Sequence, residues 1–250
     1  QPKEWARYVK YYGERAEEKF VRRLNDSIST RGVLDVLKNG LDDMGIKLQV
    51  CYFKPDSTLN AVLDDQYRTN IIGETRQFPY STKNSNTIDM VISINGIPVF
   101  AFELKNQFKN QDYQCAIEQW KNDRDPKEPI FKFNQRFLAY FAVDLYEAWM
   151  TTELKGQNTY FMPFNQGSNG AGNSGGKGNP PNPNGYMTSY LWETVFQKDS
   201  MVDLIRRFIT ITEEKKEETV NGVSKKTIER KLIFPRYHQY DVVHKVLDDV

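Results

Sequence analysis

Hydrophobic and polar residues alternate with two different periods along this chain. Apolar residues recur at helical spacing in four segments: residues 3–24, 31–44, 112–123 and 188–211. Period-two alternation and short apolar runs predict strands in a further set of segments: residues 46–53, 69–78, two within 87–106, 137–145 and 147–154. Strands interleaved with helices favour an α/β fold, a mixed central β-sheet flanked by helices.

Asn95-Gly96 lies between two apolar strands and predicts a β-hairpin. With a two-residue turn, Asp89 and Glu103 would point to opposite faces of the sheet. A three-residue loop with a bulge at Gly96 places Asp89 opposite Ala101, on the same face as Glu103. This second register also collects the apolar side chains on the other face. We therefore predict the bulged hairpin.

Two carboxylates and a lysine would share one face of that hairpin. Asp89 and Glu103 interrupt apolar runs, and Lys105 follows two residues later. Buried charges are costly unless they have a partner or a task. Carboxylates suit Mg²⁺, to which the backbone carbonyl of Leu104 would add a ligand. Lys105 would position a metal-bound water or offset charge in the transition state. The alternative is a hairpin with ordinary surface charges.

The chain resembles a nuclease family over roughly residues 60–250. The matching segments are FPYSTKNSNTIDMVISINGIPVFAFELKN, AIEQWKNDRDP, FAVDLYEAWMTTEL, FMPFNQG, NPPNPNGYMTSYLWE and LIFPRYHQYDVVHKVL. They are similar to the N-terminal endonuclease domain of the R subunit of type I restriction enzymes, in the PD-(D/E)xK superfamily. The resemblance implies a restriction-endonuclease-like core and Mg²⁺-dependent cleavage of double-stranded DNA by Asp89, Glu103 and Lys105. It also implies methyltransferase and specificity subunits as partners, with ATP and S-adenosylmethionine needed only by the full complex.

The same resemblance suggests further site residues. Nucleases of this superfamily often carry Gln-x-x-x-Tyr on the helix after the second strand, and here Gln119 matches while position 123 is Asp. Trp120 would supply the aromatic ring instead, or the pair is a surface glutamine beside a core tryptophan. Some relatives add an acid from an early helix. The candidates here, otherwise a solvated helix face, are Glu14, Glu17 and Glu18.

Composition narrows the partners and the compartment only slightly. The 250 residues carry a net charge of +1, so the overall charge gives no indication of nucleic-acid binding. A DNA-binding surface would have to be a local basic patch. Cys51 and Cys115 lack metal-type spacing and are expected to be free thiols. No signal peptide or apolar run of membrane length is present, so we expect a cytoplasmic protein without a membrane partner.

The chain is expected to contain three regions. Residues 1–210 would form the nuclease domain, with a flexible Gly/Asn/Pro loop at 165–185 whose Gly176-Lys177 lacks the rest of a phosphate-binding motif. Residues 211–231 would form a charged linker or hairpin. Residues 232–250 resemble the start of a truncated superfamily 2 helicase, in which Gln239 would contact adenine. The chain therefore looks like a fragment of a longer protein.

Two functions compete at this point. The first is a type I site-specific deoxyribonuclease that cuts DNA when coupled to an ATP-driven translocase. The second is a non-catalytic module that docks the motor onto the methyltransferase and specificity subunits. The complete set of Asp89, Glu103 and Lys105 favours the nuclease, because a docking module has no use for all three.

Overall fold

Helices dominate the N-terminal part of the computed structural model, which describes residues 2–57, 59–220 and 223–248. The elements there are α1 (Pro2–Tyr12), a 3₁₀ turn (Gly13–Arg15), α2 (Ala16–Arg31), α3 (Val33–Asn39), β1 (Leu41–Asp43) and β2 (Ile46–Leu48). The predicted helix over 3–24 is interrupted because Gly13 has φ +60°. The predicted helix over 31–44 ends at Asn39, because Gly40 has φ +68° and leaves the helical conformation.

A mixed sheet forms the centre of the described fold. In spatial order its six strands are β3 (Ile72–Pro79), β4 (Thr87–Ile94), β5 (Ile97–Leu104), β6 (Ala139–Val143), β7 (Ala148–Thr151) and β8 (Met162–Pro163). β5 and β6 are parallel, and the other neighbouring strands are antiparallel. The predicted mixed α/β architecture is therefore confirmed. The predicted strand at 46–53 is shorter and pairs with β1 outside this sheet.

The hairpin between β4 and β5 has a tighter turn than predicted. Ile94 pairs with Ile97, and Asn95 and Gly96 have φ of 51° and 82°, as a two-residue type I′ turn requires. The bulge lies farther along β5, where the pairing shifts between Ile92 and Ser93. Pro98 explains its place, because proline has no N–H to continue the ladder.

That shifted bulge corrects the register of the two carboxylates. Ala101 pairs with Val91, and Phe102 pairs with Met90. Continuing this register places Asp89 across from Glu103, so the predicted pairing of Asp89 with Ala101 is wrong. The error is two residues, which leaves the predicted sharing of one face intact.

Both faces of the sheet are buried. One core holds buried aromatic residues from several elements, including Phe100, Phe102, Phe141, Phe164 and Phe196. The opposite core includes Val91, Ala101, Trp120, Phe131 and Tyr140. Helix α5 (Tyr113–Asn122) contributes Trp120 to this second core, whose indole N–H donates to the Phe141 carbonyl at 3.0 Å. The face predicted to carry the carboxylates is therefore largely covered, and α5 lies beside them.

The remaining helices and strands surround the sheet. They are α4 (Ala61–Arg68), a π-helical turn (Leu191–Val195), α6 (Lys198–Asp203), a second π-helical turn (Leu204–Phe208), β9 (Thr210–Val220), β10 (Val223–Ile233) and α7 (Tyr237–Asp248). The predicted helix over 188–211 is thus broken into short pieces. Residues 211–220 and 223–231 of the predicted linker or hairpin lie in β9 and β10, which pair antiparallel. Among the described residues, no helix is long and apolar enough to cross a membrane.

Candidate active site

Asp89 lies where the pairing of β4 and β5 ends. Its Oδ2 accepts a hydrogen bond from the backbone N–H of Leu104 at 2.9 Å. Its Oδ1 accepts from the side-chain amide of Gln77 at 3.2 Å. The carboxylate therefore takes the place of a ladder partner at the open end of the hairpin, and its orientation is fixed from two strands.

Glu103 is fully buried and is held by one arginine. Its Oε1 accepts from Nε and Nη2 of Arg124, at 3.0 and 2.6 Å. The Arg124 side chain is 3% exposed, and its Nη2 also donates to the Thr87 carbonyl at 2.8 Å. The guanidinium lies over the Tyr80 ring, 5.2 Å from its centroid. Arg124 thus ties the start of β4 to the end of β5.

The second oxygen of Glu103 has a different environment. Glu103 Oε2 is buried, and no hydrogen-bond donor in the described part of the chain reaches it. Burial raises the pKa of Glu103 to about 8; Arg124 opposes this rise, and the negative charge of Asp89 adds to it. A buried oxygen without a donor, beside a second carboxylate, is a place where a cation would be favourable.

Lys105 is positioned by helix α5. Its ammonium group donates to the side-chain carbonyl of Gln119 at 2.5 Å. Asp112 caps the helix by accepting from the backbone N–H groups of Gln114 and Cys115, which helps set where the helix begins. Gln119 therefore lies beside the predicted site, whereas Trp120 is fully buried in the core and offers no ring to the surface.

The described residues offer two acids to a metal. No group of three or more His, Cys, Asp or Glu side chains with metal-binding geometry occurs among them. Glu14, Glu17 and Glu18 therefore do not complete a site with Asp89 and Glu103 here. Two carboxylates and an unpaired buried oxygen fit a hard cation that keeps several waters, as Mg²⁺ does.

A polar groove of about 710 Å³ opens over this region. Its lining consists of Gln77, Ser85, Asn86, Thr87, Asp89, Gln119, Asn122, Asp123 and Arg124. A second groove of about 350 Å³ shares Gln119, Asn122 and Asp123 with it and contains Lys105. Amide and hydroxyl groups dominate the first lining, so it suits a hydrated, hydrogen-bonding ligand better than an apolar one.

Comparison with known proteins identifies the family. Residues 5–159 match the family described as type I restriction enzyme R protein N terminus. The chain belongs to this family. The resemblance to the N-terminal domain of type I restriction R subunits is therefore confirmed over these residues.

A distant relative agrees with this assignment. The chain is 22% identical over 247 residues to a protein of Methanocaldococcus jannaschii named "Putative type I restriction enzyme MjaVIIIP endonuclease subunit". That alignment covers 97% of this chain and 21% of the relative, so the chain spans about a fifth of its length. No solved structure gives a significant match.

Sequence reasoning missed three residues of this R-protein domain. Gln77, Thr87 and Arg124 all contact the carboxylates or each other. A buried Glu103 demands a cationic partner, and that signal could have directed attention to Arg124, five residues after Gln119. Gln77 and Thr87 carry no motif that would have found them.

The residues predicted outside the nuclease lie elsewhere. The side-chain carbonyl of Gln239 accepts from the Arg236 backbone N–H at 2.9 Å, at the start of α7. Its contact with adenine stays a prediction. In the 165–185 loop, Asn179 is buried and donates to the Tyr146 carbonyl and to Asn165 Oδ1, at 2.8 and 2.9 Å. That contact anchors the Gly-rich part to the sheet.

Proposed function

We propose that this chain is the Mg²⁺-dependent endonuclease domain of a type I restriction enzyme R subunit, with a PD-(D/E)xK core. Its reaction is hydrolysis of phosphodiester bonds in double-stranded DNA. The observation that supports this most is Glu103 Oε2, a buried oxygen without a donor next to the Asp89 carboxylate. A purely structural Glu–Arg pair would gain from satisfying both oxygens of the carboxylate.

Asp89, Glu103 and the Leu104 carbonyl would hold the cation. A bound Mg²⁺ lowers the pKa of its water and stabilises charge on a phosphate oxygen. The backbone N–H of Leu104 fixes the Asp89 carboxylate, and Arg124 turns Glu103 so that only Oε2 is free. The metal ligands are therefore oriented before any cation arrives.

Lys105 would supply positive charge to the site from the neighbouring groove, which shares Gln119 with the groove that contains Asp89. Its ammonium group is restrained by Gln119, which limits the number of rotamers that must be frozen when DNA binds. From that place it would orient the attacking water or offset the charge that develops on the phosphate. Gln119 then acts through Lys105.

Membership of the family supports a coupling to other proteins. In this proposal the chain is the nuclease domain of an R subunit that also contains an ATP-driven translocase, and Gln239 contacts the adenine of ATP. Methyltransferase and specificity subunits are the partners, and S-adenosylmethionine belongs to the full complex. A docking module would need none of the site geometry around Glu103.

Plasmid cleavage tests the proposal. The full-length R subunit, reassembled with its methyltransferase and specificity subunits, is given Mg²⁺, ATP and a circular plasmid that carries a recognition site. We expect Asp89→Asn and Lys105→Ala to abolish cutting while ATP hydrolysis continues, because the motor is untouched. Lys47→Ala, at an exposed lysine of β2, is the matched control. Wild-type cutting by both site variants would overturn the nuclease assignment and favour the docking module.

A further inference from the structure

Gln77 has a backbone conformation that is unusual for a strand. It lies within β3, yet its φ is +49°. Its neighbours Arg76 and Phe78 pair with Met90 and Ile88, while the described pairing skips Gln77 itself. L-amino acids rarely adopt this left-handed region, and such strain persists only where the surroundings impose it. The register is the same on both sides of Gln77, so the irregularity is a local distortion of one residue that lies opposite Asp89.

Its place opposite Asp89 brings the Gln77 amide to the candidate site. Its Nε2 donates to Asp89 Oδ1 at 3.2 Å. Its Oε1 accepts from the Thr87 hydroxyl at 2.8 Å. Because the Thr87 hydroxyl occupies the carbonyl end of the amide, the NH₂ end is the one that faces Asp89. The amide orientation is thus set by a second residue.

We propose that Gln77 is a positioning residue for Asp89. This rests on the proposed function, in which Asp89 is a metal ligand. Hydrogen-bonding partners of metal ligands orient them, and their loss typically weakens metal affinity or activity roughly 10- to 100-fold. An amide donor is neutral, so it orients Asp89 without cancelling its charge. Arg124, by contrast, brings a full positive charge to Glu103.

A purely structural role for Gln77 makes a different prediction. If the residue only joined β3 to β4, its replacement would lower stability, and any loss of function would follow from that. Gln77→Gly separates the two roles, because glycine adopts φ +49° without strain but carries no amide. Positioning predicts weaker metal binding with no loss of stability.

Manganese titration of the 250-residue chain, followed by electron paramagnetic resonance, tests this. We expect Gln77→Gly to weaken Mn²⁺ binding roughly 10- to 100-fold while the urea midpoint stays at or above wild type. Thr87→Val keeps the amide but removes the hydroxyl that orients it, and should give a smaller loss. Thr75→Ala, at an exposed position two residues earlier on β3, should bind as wild type does.

The outcomes distinguish this proposal from the proposed function. Asp89→Asn reports whether the Mn²⁺ site is the one assigned. If Asp89→Asn removes binding but Gln77→Gly binds as wild type does, Gln77 has no positioning role and the nuclease proposal stands. A parallel fall of stability and affinity in Gln77→Gly would also overturn the positioning role. Wild-type chain without Asp89-dependent Mn²⁺ binding would overturn both.

Discussion

Replacing Glu103 with glutamine should make the metal-free protein more stable, and increasingly so as the pH rises. Glu103 is completely buried, and burial raises its pKa from 4.5 to about 8. In the unfolded chain the same group ionises near its ordinary pKa. Between these two values the folded protein holds a proton that the unfolded chain has released. The contribution of protonated Glu103 to the free energy of unfolding is therefore fully present below pH 4.5 and is lost as the pH rises towards 8.

The size of the effect follows from the two pKa values. At about 1.4 kcal/mol per pKa unit, the rise from 4.5 to about 8 corresponds to at most roughly 5 kcal/mol. Glu103→Gln keeps the shape and a carbonyl that accepts from Arg124, and it cannot ionise. The variant should therefore match wild type near pH 4.5 and exceed it by several kcal/mol above pH 8.

Urea denaturation in a chelating buffer measures this difference across the pH range. Asp89→Asn should lose less stability than wild type between pH 4.5 and 8, because it removes the negative charge that helps to raise the pKa of Glu103. Adding Mg²⁺ should then stabilise wild type alone. A stability difference that does not change with pH would mean that the pKa of Glu103 is not raised in the folded protein. So would a Glu103→Gln variant that is less stable than wild type at pH 8, since Glu103 would then be ionised and stabilised by its ion pair.

Three other substitutions or modifications probe the surroundings of the site. Arg124→Met should lower the free energy of unfolding by roughly 3–5 kcal/mol in urea melts above pH 8, where Glu103 is ionised, because it leaves the buried carboxylate without its cationic partner. A thiol reagent should modify only the exposed Cys115 in the folded chain and both cysteines in urea, since burial raises the pKa of Cys51 to about 12. Gly96→Ala should cost about 1 kcal/mol in the same melts, because a Cβ there meets nothing but the φ of +82° is strained.

The strands of the central sheet could be predicted because they are long and apolar. β4, β5 and β6 carry near-continuous hydrophobic runs, and Asn95-Gly96 marks the turn. The register could not be derived in full. The register depends on where the extra residue of β5 is accommodated. The turn at Gly96 and the site beside Pro98, which lacks an N–H, are alternative positions for the bulge, and the structure has it beside Pro98. The predicted bounds of the N-terminal helices were wrong at Gly13 and Gly40. The positive φ of each glycine ends the helical conformation there, although the hydrophobic periodicity continues.

Only the charged residues of the hairpin, and the glutamine on the helix that follows it, could be predicted from the sequence as members of the candidate site. Asp89, Glu103 and Lys105 stand out because they interrupt apolar strands, and Gln119 follows at helical distance. The structure brings Lys105 and Gln119 into contact. The supporting groups come from β3, from the start of β4 and from Arg124, two residues after the end of α5, and are far apart in sequence. No local sequence pattern predicts these contacts, because only the folded chain brings the residues together.

We propose that Asp89 and Glu103 hold a divalent cation in this R-protein domain. A crystal of the chain soaked in Mn²⁺ above pH 8, where Glu103 is ionised, tests it through anomalous scattering. We predict an anomalous peak for a manganese ion that is bound by Glu103 Oε2 and Asp89. The Leu104 carbonyl and waters would complete its coordination shell. Glu103→Gln crystals, soaked in the same way, should lose the peak. A manganese ion bound elsewhere, with none between the two carboxylates, would contradict the claim.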